Sequence, residues 1–177
     1  MKKIVLYIAA SIDGYIARSN GDLDWLMEYP ITPDFNYGYD EFFESVDTVN
    51  MGGRTYRDIL SMDVIWPYKD KNTYILTHNP IKTNENIQFI TDNFIERVIR
   101  LREENGKNIW LVGGGEIISM LLNHNLIDEM IITTIPVILG DGVPLFPNSP
   151  KESKWELLEN QSYSNGVTQA IYKIKRD

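Results

Sequence analysis

The sequence predicts an α/β domain built on a mostly parallel sheet. Short, continuously apolar runs recur along the chain, as strands buried on both faces require. Helical patterns separate most of these runs, the alternation that produces parallel pairing. The C-terminal part differs: two strand-like runs flank Ser164-Asn165-Gly166, a hairpin signal. An antiparallel pair is therefore expected to close the sheet.

The first strand is expected at residues 4–10, where the run is apolar and partly β-branched. Asp13-Gly14 makes a turn, residues 15–17 a short extension, and Ser19-Asn20-Gly21-Asp22 a loop. Pro33-Asp34 opens a helical pattern in which Tyr39, Phe42, Phe43 and Val46 share one face. A strand follows at 47–51, a turn at Gly52-Gly53 and a short helix at 55–60. Strands at 72–77 and 87–91 precede an amphipathic helix at 94–104, which Asn105-Gly106 ends. The fifth strand, 108–112, runs into Gly113-Gly114-Gly115 and a helix at 116–123. The sixth is expected at 130–139, before the turn Gly140-Asp141-Gly142. The hairpin strands are 155–162 and 167–175. No repeat or linker interrupts the chain, so its 177 residues are expected to form one domain.

Composition narrows the function. Apolar residues make up 43% of the chain and charged residues 24%, as in ordinary soluble domains. A net charge of −8 argues against nucleic-acid or anionic-membrane partners, which need a basic surface. Without cysteine there is no disulfide and no thiol nucleophile. His78 and His124 are too few and too far apart for a structural metal site, so no metal is expected. The start, MKKIVLYIAAS, has the outline of a leader, but its apolar stretch is short and Asp13-Gly14 follows at once. A buried strand is the better reading. No run approaches the length of a membrane span, and a cytoplasmic location is expected.

Two glycine stretches carry the chemistry. In WLVGGGEII a strand ends in Gly113-Gly114-Gly115 and a helix begins. A helix start exposes unpaired N–H groups and the positive end of the dipole, and glycine admits an anion close to them. The same order also suits a tight strand-to-helix turn with no ligand. Met51-Gly52-Gly53-Arg54-Thr55-Tyr56 repeats the arrangement with a guanidinium and a hydroxyl at the helix start. Arg54 offers a donor fork suited to phosphate, or stands simply solvated. Both stretches fall at the C-terminal ends of strands, where open α/β sheets bind ligands. A dinucleotide could span them.

Three strings, IAASIDGYIARSNGDLDWL, VNMGGRTYRDIL and WLVGGGEIISMLLNHNLIDEMIITTIPVILGDGVPLFP, resemble the signature blocks of the dihydrofolate reductase-like superfamily. The nearer resemblance is to the branch of the bacterial riboflavin biosynthesis reductase domain. The resemblance implies a mostly parallel sheet of about eight strands flanked by helices, with an antiparallel C-terminal hairpin. It implies NADPH as hydride donor. Gly113, Gly114 and Gly115 would approach the pyrophosphate, with Glu116 and Ile117 beside it. Gly53, Arg54 and Thr55 would hold the adenosine-side phosphates, and Thr77 and His78 would lie near the 2′-phosphate. Ala9 and Ile16 would line the nicotinamide pocket, and residues 21–25 would close over it. The acid that contacts the pterin in dihydrofolate reductases matches either Asp34 or Tyr39 with Asp40 beside it. Where the riboflavin branch has a glutamate before the glycines and a serine before the loop tryptophan, Val112 and Leu23 stand here. The substrate side has diverged.

Asp13, Asp40 and Thr133 are the candidate catalytic residues. Asp13 follows the first strand, and it also suits a turn that bonds its own backbone. Asp40 could donate a proton from the first helix or belong to a solvated face. Thr133 matches a substrate-contacting strand position in dihydrofolate reductases, or is a structural β-branched residue. Trp25 could shield the nicotinamide, and Tyr29, Phe35, Tyr37 and Tyr39 could wall a flat heterocycle. The expected function is NADPH-dependent reduction of a small pteridine- or pyrimidine-like substrate, in a homodimer by analogy with the family. A nucleotide-binding module without turnover is the alternative, and a Rossmann-type flavoprotein a weaker third.

Overall fold

The computed structural model describes residues 1–82 and 86–176. In chain order the elements are β1 (Ile4–Ser11), β2 (Tyr15–Ala17), α1 (Asp24–Met27), α2 (Tyr39–Glu44), β3 (Val46–Gly52) and α3 (Gly53–Ser61). There follow β4 (Asn72–Leu76), β5 (Ile87–Ile90), α4 (Phe94–Glu103), β6 (Asn108–Gly113), α5 (Gly115–Asn123) and β7 (Glu129–Ile135). The last three are β8 (Val143–Pro144), β9 (Trp155–Ser162) and β10 (Thr168–Ile174).

Eight strands form the main sheet in the order β5-β4-β3-β6-β1-β7-β10-β9. The neighbours from β5 through β7 pair in parallel, whereas β10 runs antiparallel to both β7 and β9. The expected fold class is the observed one. Alternation along each strand sends side chains to two cores. Ile4, Leu6, Ile109 and Leu111 pack with Val98 and Leu101 of α4 and Ile118 and Leu121 of α5. On the other face Val5, Val49, Met51, Ile75 and Trp110 pack with Phe42 of α2 and Tyr56 of α3. A smaller cluster of Trp25, Tyr37, Ile135 and Val167 sits over the C-terminal end of β7.

Three local expectations are corrected. The helix expected from Pro33 starts only at Tyr39, because Tyr37 (φ 55) and Gly38 (φ 69) are left-handed and cannot extend a right-handed helix. Val46, expected on that helix by its spacing, is the first residue of β3. Ser45 ends the helix before it, its Oγ donating to Phe42 O at 2.6 Å. The sixth strand stops at Ile135 rather than at 139, since Pro136 has no N–H to continue the ladder. The short elements α1 and β8 carry too little pattern to be anticipated.

Among the described residues no helix is long and apolar enough to cross a membrane.

Candidate active site

The ends of β3, β4 and β6 meet at one edge of the sheet, and two helices start there. α3 begins at Gly53 straight after β3, and α5 begins at Gly115 after β6 and Gly114. Gly113 has φ 125, a conformation that favours glycine, and the Gly113–Gly114 peptide is cis. The two starts face each other closely. A Cβ on Gly52 would lie 3.1 Å from Ile117 Cγ1, and one on Gly114 3.4 Å from Thr55 Oγ1.

Close packing explains two glycines without any ligand. A Cβ on Gly53 would lie 2.5 Å from Thr77 Oγ1, and one on Gly115 would lie 2.5 Å from Pro144 O. Real Cβ atoms do not come that close. The space around Gly114 is ordinary, so its main chain stays open to the groove.

That groove has a volume of about 700 Å³, within the range of small-molecule sites. The floor is made by the starts of α3 and α5. Leu76, Thr77, His78, Asn79 and Phe94 line it with Thr77 against Gly53; Ala17, Gly142, Val143, Pro144 and Pro147 line it with the two prolines against Gly115. Its charged groups are Arg54, Arg57, Asp58 and Glu116. Neither arginine forms an ion pair among the described residues. They occupy different places. Arg57 Nη1 comes within 3.2 Å of the Gly53 Cβ position, beside Thr77. Arg54 Nη2 and an Asp58 carboxylate oxygen both lie within 4 Å of the Gly21 Cβ position, at 3.8 and 3.7 Å.

Nine of the candidate cofactor residues line this groove: Gly53, Arg54, Thr55, Thr77, His78, Gly114, Gly115, Glu116 and Ile117. Ile16 adjoins it, its Cδ1 3.9 Å from the Gly114 Cβ position. Gly113 leads into it at the end of β6. Ala9 stands apart, packed in the Trp25–Tyr37 cluster and opposite Thr133 in register. Thr77 is buried and its Oγ1 accepts from Asn79 N at 3.1 Å, while His78 is exposed with Nδ1 3.2 Å from Thr91 O.

The candidate catalytic residues are not brought together. Asp13 Oδ1 accepts from Ser11 Oγ at 2.6 Å and from Leu139 N at 3.1 Å, and Oδ2 accepts from Gly140 N at 2.8 Å. These bonds, that from Ser11 first, hold its pKa below the ordinary carboxylate value. Asp40 is exposed on α2 and accepts from Asn36 Nδ2 at 2.6 Å. Thr133 is buried, and its Oγ1 accepts from Gln169 Nε2 at 2.8 Å. That amide also donates to Tyr37 O at 2.9 Å, as does Tyr7 Oη at 2.9 Å. Burial pushes the Tyr7 phenol far above its ordinary pKa, so it stays a neutral donor. Among the described residues no group of three or more His, Asp or Glu could hold a metal ion.

Arg57 and Asp58 escaped the reading of the sequence, although Arg57 follows Arg54 by three residues and so shares its helix face. Asn79, Phe94 and Pro147 gave no such signal. They reach the groove from loops and a helix far away in sequence.

The model of the RibD C-terminal domain family matches residues 2–169. The chain belongs to the RibD C-terminal domain family. Among its relatives, the uncharacterized protein YwjB of Bacillus subtilis (strain 168) is 40% identical over 94% of this chain and 95% of its own. A crystal structure from Shewanella sp. PV-4, of a protein named for riboflavin biosynthesis, superposes with a TM-score of 0.87. It is 31% identical and covers 98% of this chain and 99% of its own. Dihydrofolate reductase from Enterococcus faecalis, solved with NADP(H), superposes at a TM-score of 0.68. It covers 98% of this RibD C-terminal family chain and 97% of its own, and at 15% identity the likeness is one of fold. The fold is dihydrofolate reductase-like.

Proposed function

We propose that the chain is an NADPH-dependent reductase of a small heterocycle of the pteridine or pyrimidine kind. The observation that carries this is the pair of glycine-started helices facing one groove that also holds two arginines. Main-chain N–H groups at helix starts and guanidinium forks are what a dinucleotide's phosphates need.

In this reading Gly114, Gly115 and the start of α5 take the pyrophosphate. Arg54 and Thr55 take it from the α3 side. Thr77, His78 and Arg57 recognise the 2′-phosphate at the far end. Ile16 borders the nicotinamide, which extends beyond the groove toward Ala9 and the Trp25–Tyr37 cluster. When bound, NADPH supplies a hydride from C4 of that ring. The chain's own part is to align the acceptor carbon of a C=N or C=O bond and to exclude water. Trp25 helps to exclude water. It is 3% exposed, and its indole N–H has no acceptor among the described residues. An acceptor atom of the substrate, or a water, completes it. The proton that completes the reduction comes from water, since Asp13 is ionised and accepts three hydrogen bonds, Asp40 stands outside the groove and Tyr7 is a poor acid.

The enzyme works in the cytoplasm as a homodimer. Support for the dimer is the edge strand β9, where Leu157 and Leu158 are both about half exposed, at 49% and 50%. Light scattering of the eluting protein tests this.

A second reading has an observation of its own. Asp13 and Thr133 are bonded within the fold and Asp40 stands outside the groove, as suits a nucleotide-binding module without turnover. Mixing the protein and NADPH with pterins, pyrimidines and quinones, and following the loss of nicotinamide absorbance, separates the two. Oxidation of NADPH with any of them supports the reductase; tight binding with no oxidation supports the module.

A further inference from the structure

Asp13 lies outside the groove, yet its bonds run to the segment that builds one groove wall. Ser11 Oγ is itself fixed, donating to Asp13 and accepting from Tyr15 N at 2.9 Å. Through Leu139 N and Gly140 N the carboxylate holds the chain that leads into Gly142, Val143 and Pro144. The wall is then tied at three more points. Leu145 N donates to Gly14 O at 2.9 Å, β2 pairs with β8, and Ser119 Oγ donates to Pro147 O at 2.6 Å. The fit leaves little slack: a Cβ on Gly142 would collide with Ala17 O, and one on Gly115 would lie 2.5 Å from Pro144 O. A small shift of this wall therefore changes the groove directly above the start of α5.

We propose that Asp13 is a positioning residue for the cofactor, a latch joining the end of β1 to the 137–147 segment that walls the groove over Gly114 and Gly115. This rests on the NADPH reading above. The geometry gives the latch a local effect. The wall stands over the α5 start, where the pyrophosphate and nicotinamide half would lie. The adenosine end, at Thr77, His78 and Arg57, is built from β4 and α3 and does not touch the latch. Asp13 remains ionised at neutral pH, so both acceptor oxygens are available.

Calorimetric titration of Asp13→Ala and Asp13→Asn with NADPH and with 2′,5′-ADP tests the proposal. The short ligand probes only the adenosine end. The expected result for Asp13→Ala is a Kd for NADPH raised about tenfold, with that for 2′,5′-ADP within about twofold, as the loss of two charge-assisted bonds at one wall implies. Asp13→Asn keeps the shape and one acceptor oxygen, should give an intermediate loss, and keeps the test open if the alanine variant does not fold. Unchanged NADPH affinity overturns the latch. So does equal weakening of both ligands with a lowered thermal midpoint, which marks a merely structural carboxylate. A wild-type chain that binds neither ligand overturns the NADPH reading itself, and the latch with it.

Discussion

Gly53 and Thr77 meet across the ends of β3 and β4 with no room for a methyl group between them. A Cβ on Gly53 would lie 2.5 Å from Thr77 Oγ1 and 2.8 Å from Thr77 Cβ. Thr77 is buried and its hydroxyl is held by Asn79 N, so it cannot swing aside freely. Gly53→Ala should therefore cost about 1–3 kcal/mol of stability, as overpacking does, and should displace the start of α3. Denaturant unfolding and NADPH titration read the two effects. Gly53→Ala should cost less in a Thr77→Gly background than in the wild-type chain; an equal cost in both would mean that the strain lies elsewhere.

The two arginines should differ in what they recognise. Arg57 stands beside Thr77 and Arg54 beside Asp58 and Gly21. Arg57→Ala should raise the Kd for NADPH about tenfold or more, the worth of one charge-assisted phosphate contact, and leave NADH binding nearly as it was. Arg54→Ala should weaken both dinucleotides alike. If Arg54→Ala leaves NADPH affinity unchanged, the assignment of the groove to a dinucleotide is wrong.

Gly114 offers the opposite test to Gly53. Its Cβ position has nothing nearer than Thr55 Oγ1 at 3.4 Å, and its φ of −82° suits any residue. Gly114→Val should fold, with unfolding free energy changed by no more than about 1–2 kcal/mol, while its branched side chain obstructs the groove. Circular dichroism and NADPH titration check this. A folded valine variant that binds NADPH normally contradicts the pyrophosphate site.

Stability should fall in acid partly through Asp47. Burial opposes ionisation of this carboxylate, but bonds from Lys2 Nζ, Thr48 Oγ1 and Lys107 N outweigh it and hold the pKa below the ordinary 3.8. A depressed folded pKa contributes stability that is fully present above the unfolded value and is lost as pH falls through the folded one. The thermal midpoint should therefore drop steeply below about pH 4. Asp47→Asn should be less stable than wild type at pH 7, and the gap should narrow in that acid range. A constant gap from pH 7 to pH 3 would contradict the linkage.

Much of this was legible in the sequence for a physical reason. Parallel strands buried on both faces are continuously apolar, and the glycine turns sit at their ends, so β1, β3, β6 and the starts of α3 and α5 stand out. Groove-lining residues that lie within one such segment, such as Arg54, Thr55 and Gly114, could be read directly. Residues set by contacts between distant segments could not. Asp13 reads as a turn former or as an acid near the reacting centre; only the folded chain brings Leu139 N and Gly140 N to it. Arg57 carries no signal of its own until Thr77 is placed beside it. The start of α2 depended on the left-handed backbone of Tyr37, whose carbonyl is fixed by Tyr7 and Gln169 from two other strands.

The reductase reading and the Asp13 latch depend on the groove between α3 and α5 binding NADPH. Purified protein titrated with NADPH and, separately, NADH, followed by tryptophan fluorescence and energy transfer to the nicotinamide, decides it. Saturable binding that favours NADPH is the predicted result. Binding of neither dinucleotide would contradict the cofactor site and leave the glycines as two tight turns between strand and helix.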